Sequence, residues 1–302
     1  MTMKRIACSR AAVLLAGVVL HLTASAADVV PLTFINGLPF ATVRIGPVAS
    51  QLMIDSGGSL GISIPEKTVK ESGSVRLLEQ KTRFSDLKGQ VFEVQNLVAQ
   101  QVTLGTTELG PVDGRVHVQW GGAPEGLEAE LTKARQAGAI GLAAFGNRPV
   151  MFDYQLGTLS IYEPGENPQA GQQGWHALSL ESGKIGPNVT LIVRGKPLKF
   201  VLDTGAQVNL VNAKSLAPVA MQSSCQAAPP DTDHCDPREL GTVQDSNGQS
   251  VGTLKAERIE LNGAPFDGIL GAPFFQGHKV LFDLATHRLL ISSAAAKNSK
   301  PN

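Results

Sequence analysis

The sequence predicts a mostly β protein with a few short helices, built from two homologous lobes. Two similar segments carry this prediction, Leu52-Met53-Ile54-Asp55-Ser56-Gly57-Gly58 and Phe200-Val201-Leu202-Asp203-Thr204-Gly205-Ala206. In each segment an apolar run with β character ends on an aspartate, a hydroxyl residue and a glycine, which is the pattern of a buried strand that stops at a turn. The segments that follow also repeat in order. We therefore interpret the chain as a duplication in which each half supplies one aspartate.

The segments downstream of the two aspartates repeat with the same spacing. In both halves an apolar pair and a glycine are followed 12 positions later by a Phe-Asp pair, and a further 8 positions later by an isoleucine. A lone Asp-Gly is most simply a turn, but repetition at fixed spacing indicates duplicated units. Asp153 and Asp283 precede turns, so we expect them to be structural. The matched residues are Gly141 and Gly271, Asp153 and Asp283, and Ile161 and Ile291.

A turn signal lies between the aspartate and the apolar pair of each half. Residues 86–90 contain Lys-Gly and residues 245–249 contain Asn-Gly. Asn-Gly between extended segments is a strong cue for a two-residue hairpin, and Lys-Gly is a weaker one. We therefore predict one hairpin centred on Gly89 and another centred on Gly248.

The first 26 residues are predicted to be a signal peptide. A basic stretch precedes an apolar run over residues 11–20, and Ala24-Ser25-Ala26 fits a signal peptidase site. The apolar run is too short to span a bilayer. We therefore expect an exported protein, periplasmic or secreted, with no membrane span. Removal of the leader leaves 23 basic and 26 acidic residues, a net charge of −3, with no basic cluster to favour nucleic acid as a partner.

The mature chain is predicted to fold as two lobes, over residues 27–162 and 175–292. Residues 163–174 are rich in Pro, Gly and Gln and predict a linker, and residues 293–302 predict a flexible tail. In the first lobe, alternation predicts core positions at Val43, Ile45, Leu52 and Ile54.

The first lobe is longer than the second between its aspartate and its apolar-Gly segment. Asp55 to Gly141 is 86 positions, whereas Asp203 to Gly271 is 68. The excess of 18 residues matches a segment that contains a predicted helix over residues 125–136, which ends before Gly138. We interpret this helix as an insertion on the rim of a cleft between the lobes.

Cys225 and Cys235 are the cysteines that remain after the leader. Outside the cytoplasm, two thiols ten positions apart are expected to form one disulfide. A metal site formed with His234 and a nearby aspartate is the alternative, although the ligand spacing is not one that zinc sites use.

On these residues the chain resembles the aspartic peptidases. Each half resembles one retropepsin-type subunit, and the whole resembles a two-lobed, pepsin-like monomer. The resemblance implies a pepsin-like acid protease fold, a peptide or protein substrate, and neither cofactor nor metal. It also implies that Asp55 and Asp203 form a catalytic pair that shares one proton and activates a water.

The resemblance extends to the residues around the two aspartates. It implies that Ser56 and Thr204 tie the two active loops together and that Gly57 and Gly205 let backbone amides approach the carboxylates. Gly141 and Gly271 would pack beneath those loops. The hairpins at Gly89 and Gly248 would be flaps over the substrate. The first hairpin departs from the pepsin pattern because it offers phenylalanines and no tyrosine.

Three alternatives remain. Gly57-Gly58-Ser59-Leu60-Gly61 matches a nucleophile elbow, but a strand is predicted where that motif needs a helix. His117 and four other histidines of the mature chain lack the paired spacing of a zinc peptidase and are expected to be surface or satisfied residues. The third alternative is a peptide-binding protein of the cell envelope that keeps the fold with a weak or inactive aspartate pair.

Overall fold

The computed structural model describes residues 27–85, 90–118, 128–166, 168–169, 173–183, 185–216 and 238–292. The predicted signal peptide, Gly89, the tail and part of the linker lie outside these ranges. Cys225 and Cys235 also lie outside them, so the disulfide stays a prediction.

Most elements of the first half are strands. The strands are β1 (Asp28–Pro31), β2 (Thr33–Ile35), β3 (Leu38–Ile45), β4 (Val48–Asp55), β5 (Ile62–Ile64), β6 (Val75–Ser85), β7 (Val91–Leu104), β8 (Thr107–Val116), β9 (Ala139–Gly141), β10 (Val150–Asp153) and β11 (Thr158–Ile161). The helices are α1 (Glu66–Ser72) and α2 (Glu128–Gln136), and a 3₁₀ turn spans Leu142–Phe145.

The second half repeats this composition. Its strands are β12 (Trp175–Ser179), β13 (Glu181–Ser182), β14 (Pro187–Val193), β15 (Lys196–Leu202), β16 (Leu210–Asn212), β17 (Glu239–Gln244), β18 (Ser250–Lys255), β19 (Glu257–Ile259), β20 (Gly268–Leu270), β21 (Lys279–Asp283) and β22 (Arg288–Ser292). Its helices are α3 (Ala213–Leu216) and α4 (Ala272–Gln276). None of the described helices is long and apolar enough to cross a membrane.

Each lobe contains one eight-stranded sheet with the same arrangement around its aspartate. In the first lobe β4 pairs in parallel with β9, which places Asp55 opposite Gly141, and β5 pairs with the other edge of β9. In the second lobe β15 pairs in parallel with β20 and β16 pairs with the other edge of β20. The predicted two-lobed, mostly β fold class is confirmed.

The core forms where the sequence pattern places it. Val43, Ile45, Leu52 and Ile54 are buried, and β3 and β4 are paired antiparallel around them. Because side chains alternate along a strand, these four positions share one face and pack into the main apolar cluster. The strand that carries Asp55 is therefore held by its own core.

A third sheet joins the lobes. Its six strands run in the order β1, β11, β10, β21, β22, β12, so the repeated Phe-Asp strands β10 and β21 pair with each other at its centre. Asp153 accepts hydrogen bonds from the backbone N–H groups of Gln155 and Leu156, and Asp283 accepts one from that of Thr286. Both aspartates thus hold turns, as expected from their positions.

The structure adds two local features that the sequence did not reveal and corrects one predicted turn. Helix α1 follows Pro65 directly and was not predicted, because its buried residues are Thr68 and Ser72 and leave no apolar period to detect. Strand β8 runs without a break through Gly110-Pro111, where its register against β7 shifts. The hairpin predicted at Gly248 forms between β17 and β18, but residues 245–249 make a five-residue loop in which Gly248 alone has positive φ, so Asn-Gly does not form the expected two-residue turn.

Candidate active site

Asp55 and Asp203 meet at the seam between the lobes. Each follows a buried strand, and their carboxyl groups lie within hydrogen-bonding range of each other. Both side chains are partly exposed, because they face a pocket that opens beside them. The duplication thus brings together the two aspartates that it repeats.

Ser56 and Thr204 exchange hydrogen bonds across the seam. The Ser56 hydroxyl donates to the carbonyl oxygen of Leu202 over 2.9 Å, and the Thr204 hydroxyl donates to that of Ile54 over 2.6 Å. In return, each hydroxyl accepts the backbone N–H of the other residue over 2.9 Å. Both side chains are fully buried. The four bonds fix the two aspartate turns relative to each other.

The glycines after the hydroxyl residues are required by close approach. A Cβ at Gly57 would lie 2.3 Å from Cγ of Asp203, and one at Gly205 would lie 3.1 Å from Oδ1 of both aspartates. The Gly57 and Gly58 N–H groups donate to Oδ1 of Asp55, at 2.9 and 3.2 Å. The Gly205 N–H donates to Oδ1 of Asp203, at 2.8 Å. Asp55 therefore receives two of these bonds and Asp203 one.

The surroundings of the two carboxyl groups give them different pKa values. Burial raises the pKa of Asp55, while the hydrogen bond with Asp203 and then the backbone N–H groups of Gly57 and Gly58 oppose that shift. Burial and the neighbouring charge of Asp55 together raise the pKa of Asp203 to about 8. Hydrogen bonds to a carboxylate favour its charged form. The shared proton therefore resides on Asp203 and the charge on Asp55.

Gly141 and Gly271 pack beneath the two turns by different contacts. A Cβ at Gly141 would lie 2.2 Å from the carbonyl oxygen of Leu60, and one at Gly271 would lie 2.5 Å from that of Val208. The Gly141 N–H donates to the backbone oxygen of Gly61. The Gly271 N–H instead donates to the side-chain oxygen of Asn209, which occupies the position equivalent to Gly61.

The pocket beside the two carboxyl groups belongs mainly to the first lobe. It encloses about 890 Å³ including its open mouth, and of its lining residues only Asp203 and Gly205 come from the second lobe. Its polar wall contains Arg115, His117 and Arg135. These three residues were not identified from the sequence, and His117, expected to be an ordinary surface or satisfied histidine, lines the pocket.

Arg115 lies near the end of β8 and His117 directly follows that strand. Because the two residues are two positions apart, their side chains point to the same face. The Ser63 hydroxyl lies 3.1 Å from Nδ1 of His117, and the ring approaches the backbone carbonyl of Arg135. Burial and the neighbouring Arg115 hold the pKa of His117 below its ordinary range. His117 is therefore neutral, and its ring is held to β5 through Ser63, whereas its Nε2 is buried without a hydrogen-bond partner among the described groups.

Arg135 brings the first-lobe insertion into the site. It lies in the last turn of α2, and its Nη2 donates to the carbonyl oxygen of Gly205 over 3.2 Å. Its charge opposes the rise in pKa of Asp55 and Asp203. The alternating residues of β8 and the excess length of the first lobe were the available signals, but neither specifies which side chain reaches the aspartates.

The two predicted flap hairpins occupy different surroundings. The strands flanking Gly89 pair as predicted, with Phe84 opposite Phe92, although Gly89 itself lies outside the described residues. Phe84 lies under the guanidinium of Arg115, 4.2 Å from ring centroid to Cζ. The turn at Gly248 instead lies beside β12, where Asp245 is 3.7 Å from His176.

The nucleophile elbow lacks its structural context, whereas the metal alternative at Cys225, His234 and Cys235 lies outside the described residues. Strand β5 follows Ser59 where a nucleophile elbow requires a helix, so that interpretation is wrong. Within the part of the chain that the structure describes, no group of three or more His, Cys, Asp or Glu residues is placed to hold a metal ion.

Comparison with known proteins identifies the fold. No family model and no curated protein sequence matches the chain. The crystal structure of an aspartic proteinase from Irpex lacteus is similar with a TM-score of 0.56 and 14% identity, over 92% of this chain and 100% of that chain. Basic 7S globulin from soybean is similar with a TM-score of 0.57 and 12% identity, over 89% and 97%. The pepsin-like two-lobed fold is thus shown, but a fold shared by a proteinase and a globulin does not decide activity.

Proposed function

We propose that the chain is an aspartic endopeptidase that hydrolyses peptide bonds through a water activated by Asp55 and Asp203. The observation that carries the proposal is the contact between the two carboxyl groups at the mouth of a pocket. A pair that shares one proton offers a base and an acid to the same substrate. The buried hydroxyl exchange supports it further, because it fixes the pair without occupying the carboxylate faces toward the pocket.

The unequal surroundings assign the two roles. Asp55, which accepts two backbone N–H groups, is the charged member and takes a proton from the attacking water. Asp203 holds the shared proton and donates it to the carbonyl oxygen of the scissile bond. The water oxygen bonds to the carbonyl carbon, which gives a neutral tetrahedral diol.

Collapse of the diol completes the reaction. The proton on Asp55 passes to the amide nitrogen, the C–N bond breaks, and the diol returns a proton to Asp203 as the new carboxyl group forms. The pair ends in its starting protonation state, and no other reactant is consumed. The substrate is thus a peptide or protein segment and the products are two shorter chains. The sequence further supports an exported, monomeric enzyme of the periplasm or the extracellular space.

A second candidate is a peptide-binding protein with the same fold and a weak or inactive pair. The similarity to a structure named as a globulin favours it. The intact aspartates, hydroxyl residues and glycines favour the enzyme, because an idle site has no need of the close approach at Gly57.

Cleavage of an unstructured protein separates the two candidates. Asp55→Asn and Asp203→Asn are each expected to lower kcat/KM at least about a thousandfold, with the fold retained, because each removes one partner of proton transfer. Asp113→Asn, at an exposed position on β8, is the matched control and is expected to cleave as the wild type does. Turnover should also fall above about pH 8, where Asp203 loses its proton. The proposal is contradicted if the wild type and both Asn variants cleave equally well. It is also contradicted if neither the wild type nor any variant cleaves the substrate between pH 3 and 9.

A further inference from the structure

Two arginines line the pocket beside the aspartate pair without a carboxylate of their own. Arg115 and Arg135 are both half-buried there. The arginines that form ion pairs within 4.0 Å, among the side chains that the structure describes, are Arg148, Arg238 and Arg288. Removing a guanidinium from water without a paired anion is unfavourable. The pocket therefore holds positive charge that the described protein groups do not neutralise by direct contact.

Each guanidinium is held in place by a group that leaves its charge free. Arg115 stacks on Phe84, which contributes a cation–π contact and no negative charge. Arg135 donates one hydrogen bond to the carbonyl oxygen of Gly205, and its Nε is buried with no hydrogen-bond partner among the described groups. Each guanidinium thus already has one defined contact in the absence of a ligand, and such preorganisation reduces the entropy lost on binding.

The charge of the pocket is positive even with the catalytic pair included. Asp55 and Asp203 sharing one proton contribute a single negative charge, whereas the two arginines contribute two positive charges. His117 is neutral, since burial and Arg115 keep the pKa of its ring low. One further negative charge would balance the pocket.

The rest of the wall suits the stem of an acidic side chain. Met53, Leu60 and Ile62 line the pocket together with glycines that leave space. Apolar walls favour methylene groups, and a guanidinium offers paired N–H donors that match the two oxygens of a carboxylate. The pocket thus combines an apolar passage with charged donors.

We propose that this pocket is an anion-binding subsite that takes a carboxylate of the peptide substrate. The inference rests on the proposed peptidase function and specifies its substrate class, namely peptides that are acidic beside the cleaved bond. The carboxylate comes from an Asp or Glu side chain or from the carboxyl terminus of the peptide. Arg115 and Arg135 are the specificity-determining residues.

A peptide series tests the preference directly. One cleaved peptide is remade with a single Glu at each position around the bond, with a matched Gln series and with free or amidated carboxyl termini. We expect Glu at one position to raise kcat/KM roughly tenfold to a hundredfold over Gln, as for a hydrogen bond to a charged group. A preference for the free terminus alone would instead identify the terminal carboxylate as the ligand. Equal cleavage of all peptides overturns the inference while leaving the peptidase function intact.

Arginine variants locate the preference in the pocket. Arg115→Gln and Arg135→Gln are each expected to abolish most of the discrimination between Glu and Gln peptides. Charge reversal in Arg115→Glu is expected to favour Lys over Glu at the same position. Arg44→Gln, an exposed arginine of β3 outside the pocket, is the matched control. If Arg135→Gln raises turnover of every peptide equally, α2 obstructs the pocket and the subsite proposal is wrong.

A binding measurement keeps the two proposals distinguishable. Calorimetric titration of Asp203→Asn protein with the Glu and Gln peptides needs no turnover. Tighter binding of the Glu peptide, lost in the Asp203→Asn, Arg115→Gln double variant, supports the anion subsite even if no peptide is cleaved. Equal affinities for both peptides overturn it.

Discussion

Asp55 and Asp203 lie at the ends of equivalent strands, which pair in parallel with the equivalent strands β9 and β20. The hydroxyl residues that follow them exchange equivalent hydrogen bonds. Their immediate surroundings nevertheless differ. Asp55 accepts two backbone N–H groups and Asp203 accepts one. The symmetric contacts position the pair, whereas the asymmetric contacts give its two members different protonation states.

The lobes also differ in what surrounds the pair. The pocket is lined mainly by the first lobe, which supplies both Arg115 and Arg135. Arg135 lies on α2, within the segment by which the first lobe exceeds the second in length. Duplication thus accounts for the proposed chemistry, and divergence after duplication accounts for the proposed recognition.

The largest expected contrast is between the two glycines that approach the carboxylates. Gly57→Ala places a Cβ 2.3 Å from Cγ of Asp203, so the pair must separate and kcat/KM is expected to fall more than about a hundredfold. Gly205→Ala meets its neighbours at 3.1 Å and is expected to lose about tenfold or less. Steady-state kinetics with circular dichroism as the folding control measures both. Equal losses of kcat/KM would contradict this prediction, because they would mean that Gly57 and Gly205 have equally little space for a Cβ.

The hydroxyl exchange should show no such contrast. Ser56→Ala and Thr204→Val each leave one buried N–H and one buried carbonyl without a partner, and each is expected to lower the free energy of unfolding by about 2 to 4 kcal/mol. Thr204→Ser keeps the hydroxyl and is expected to lose only about 1 kcal/mol. Denaturant unfolding measures these values. A large difference in unfolding free energy between Ser56→Ala and Thr204→Val would show that the two hydroxyl groups do not contribute equally to stability.

The raised pKa of Asp203 predicts that stability depends on pH. Above pH 4 an unfolded aspartate loses its proton, while the folded Asp203 keeps it until about pH 8. The folded state therefore binds more protons, and the free energy of unfolding falls as pH rises through this window, by about 1 to 3 kcal/mol from pH 5 to 7. Asp203→Asn cannot titrate and should show a flatter profile. Parallel pH profiles for the two proteins would contradict the assignment of the proton to Asp203.

The smallest expected effect concerns the support beneath the second turn. Asn209→Ala removes the acceptor of the Gly271 N–H and the donor to the carbonyl oxygen of Lys255, and is expected to cost about 1 to 2 kcal/mol in unfolding free energy. Asn209→Asp keeps the acceptor and should lose less. Thermal unfolding compares the two variants. No loss in Asn209→Ala would show that the turn, like its counterpart at Gly61, needs only backbone support.

The sequence located the aspartate pair because its signal is local and repeated. A strand end, an aspartate, a hydroxyl residue and a glycine are adjacent in the chain, and the second copy at fixed spacing identified the first. Core residues such as Leu52 and Ile54 followed from alternation along the strand. The fold class followed from the same two observations.

The pocket residues could not be predicted because their convergence is tertiary. Arg115 reaches the site through the pairing of β8 with β5, and Arg135 through the packing of α2 against the seam. Neither contact can be inferred from the number of residues that separate these arginines from the aspartates in the sequence. Helix α1 escaped detection for another reason: it buries hydroxyl side chains, so no apolar period marks it.

The sheet that joins the lobes has a mechanical consequence. Strands β10 and β21 are paired from Val150 to Asp153, so moving the lobes apart would break the hydrogen bonds between these strands. We therefore expect the cleft between the lobes to keep a nearly constant width. A cleft of constant width discriminates between substrate segments by their thickness. Under the proposed peptidase function, we therefore expect extended segments of a substrate to be cleaved in preference to folded helices or hairpins.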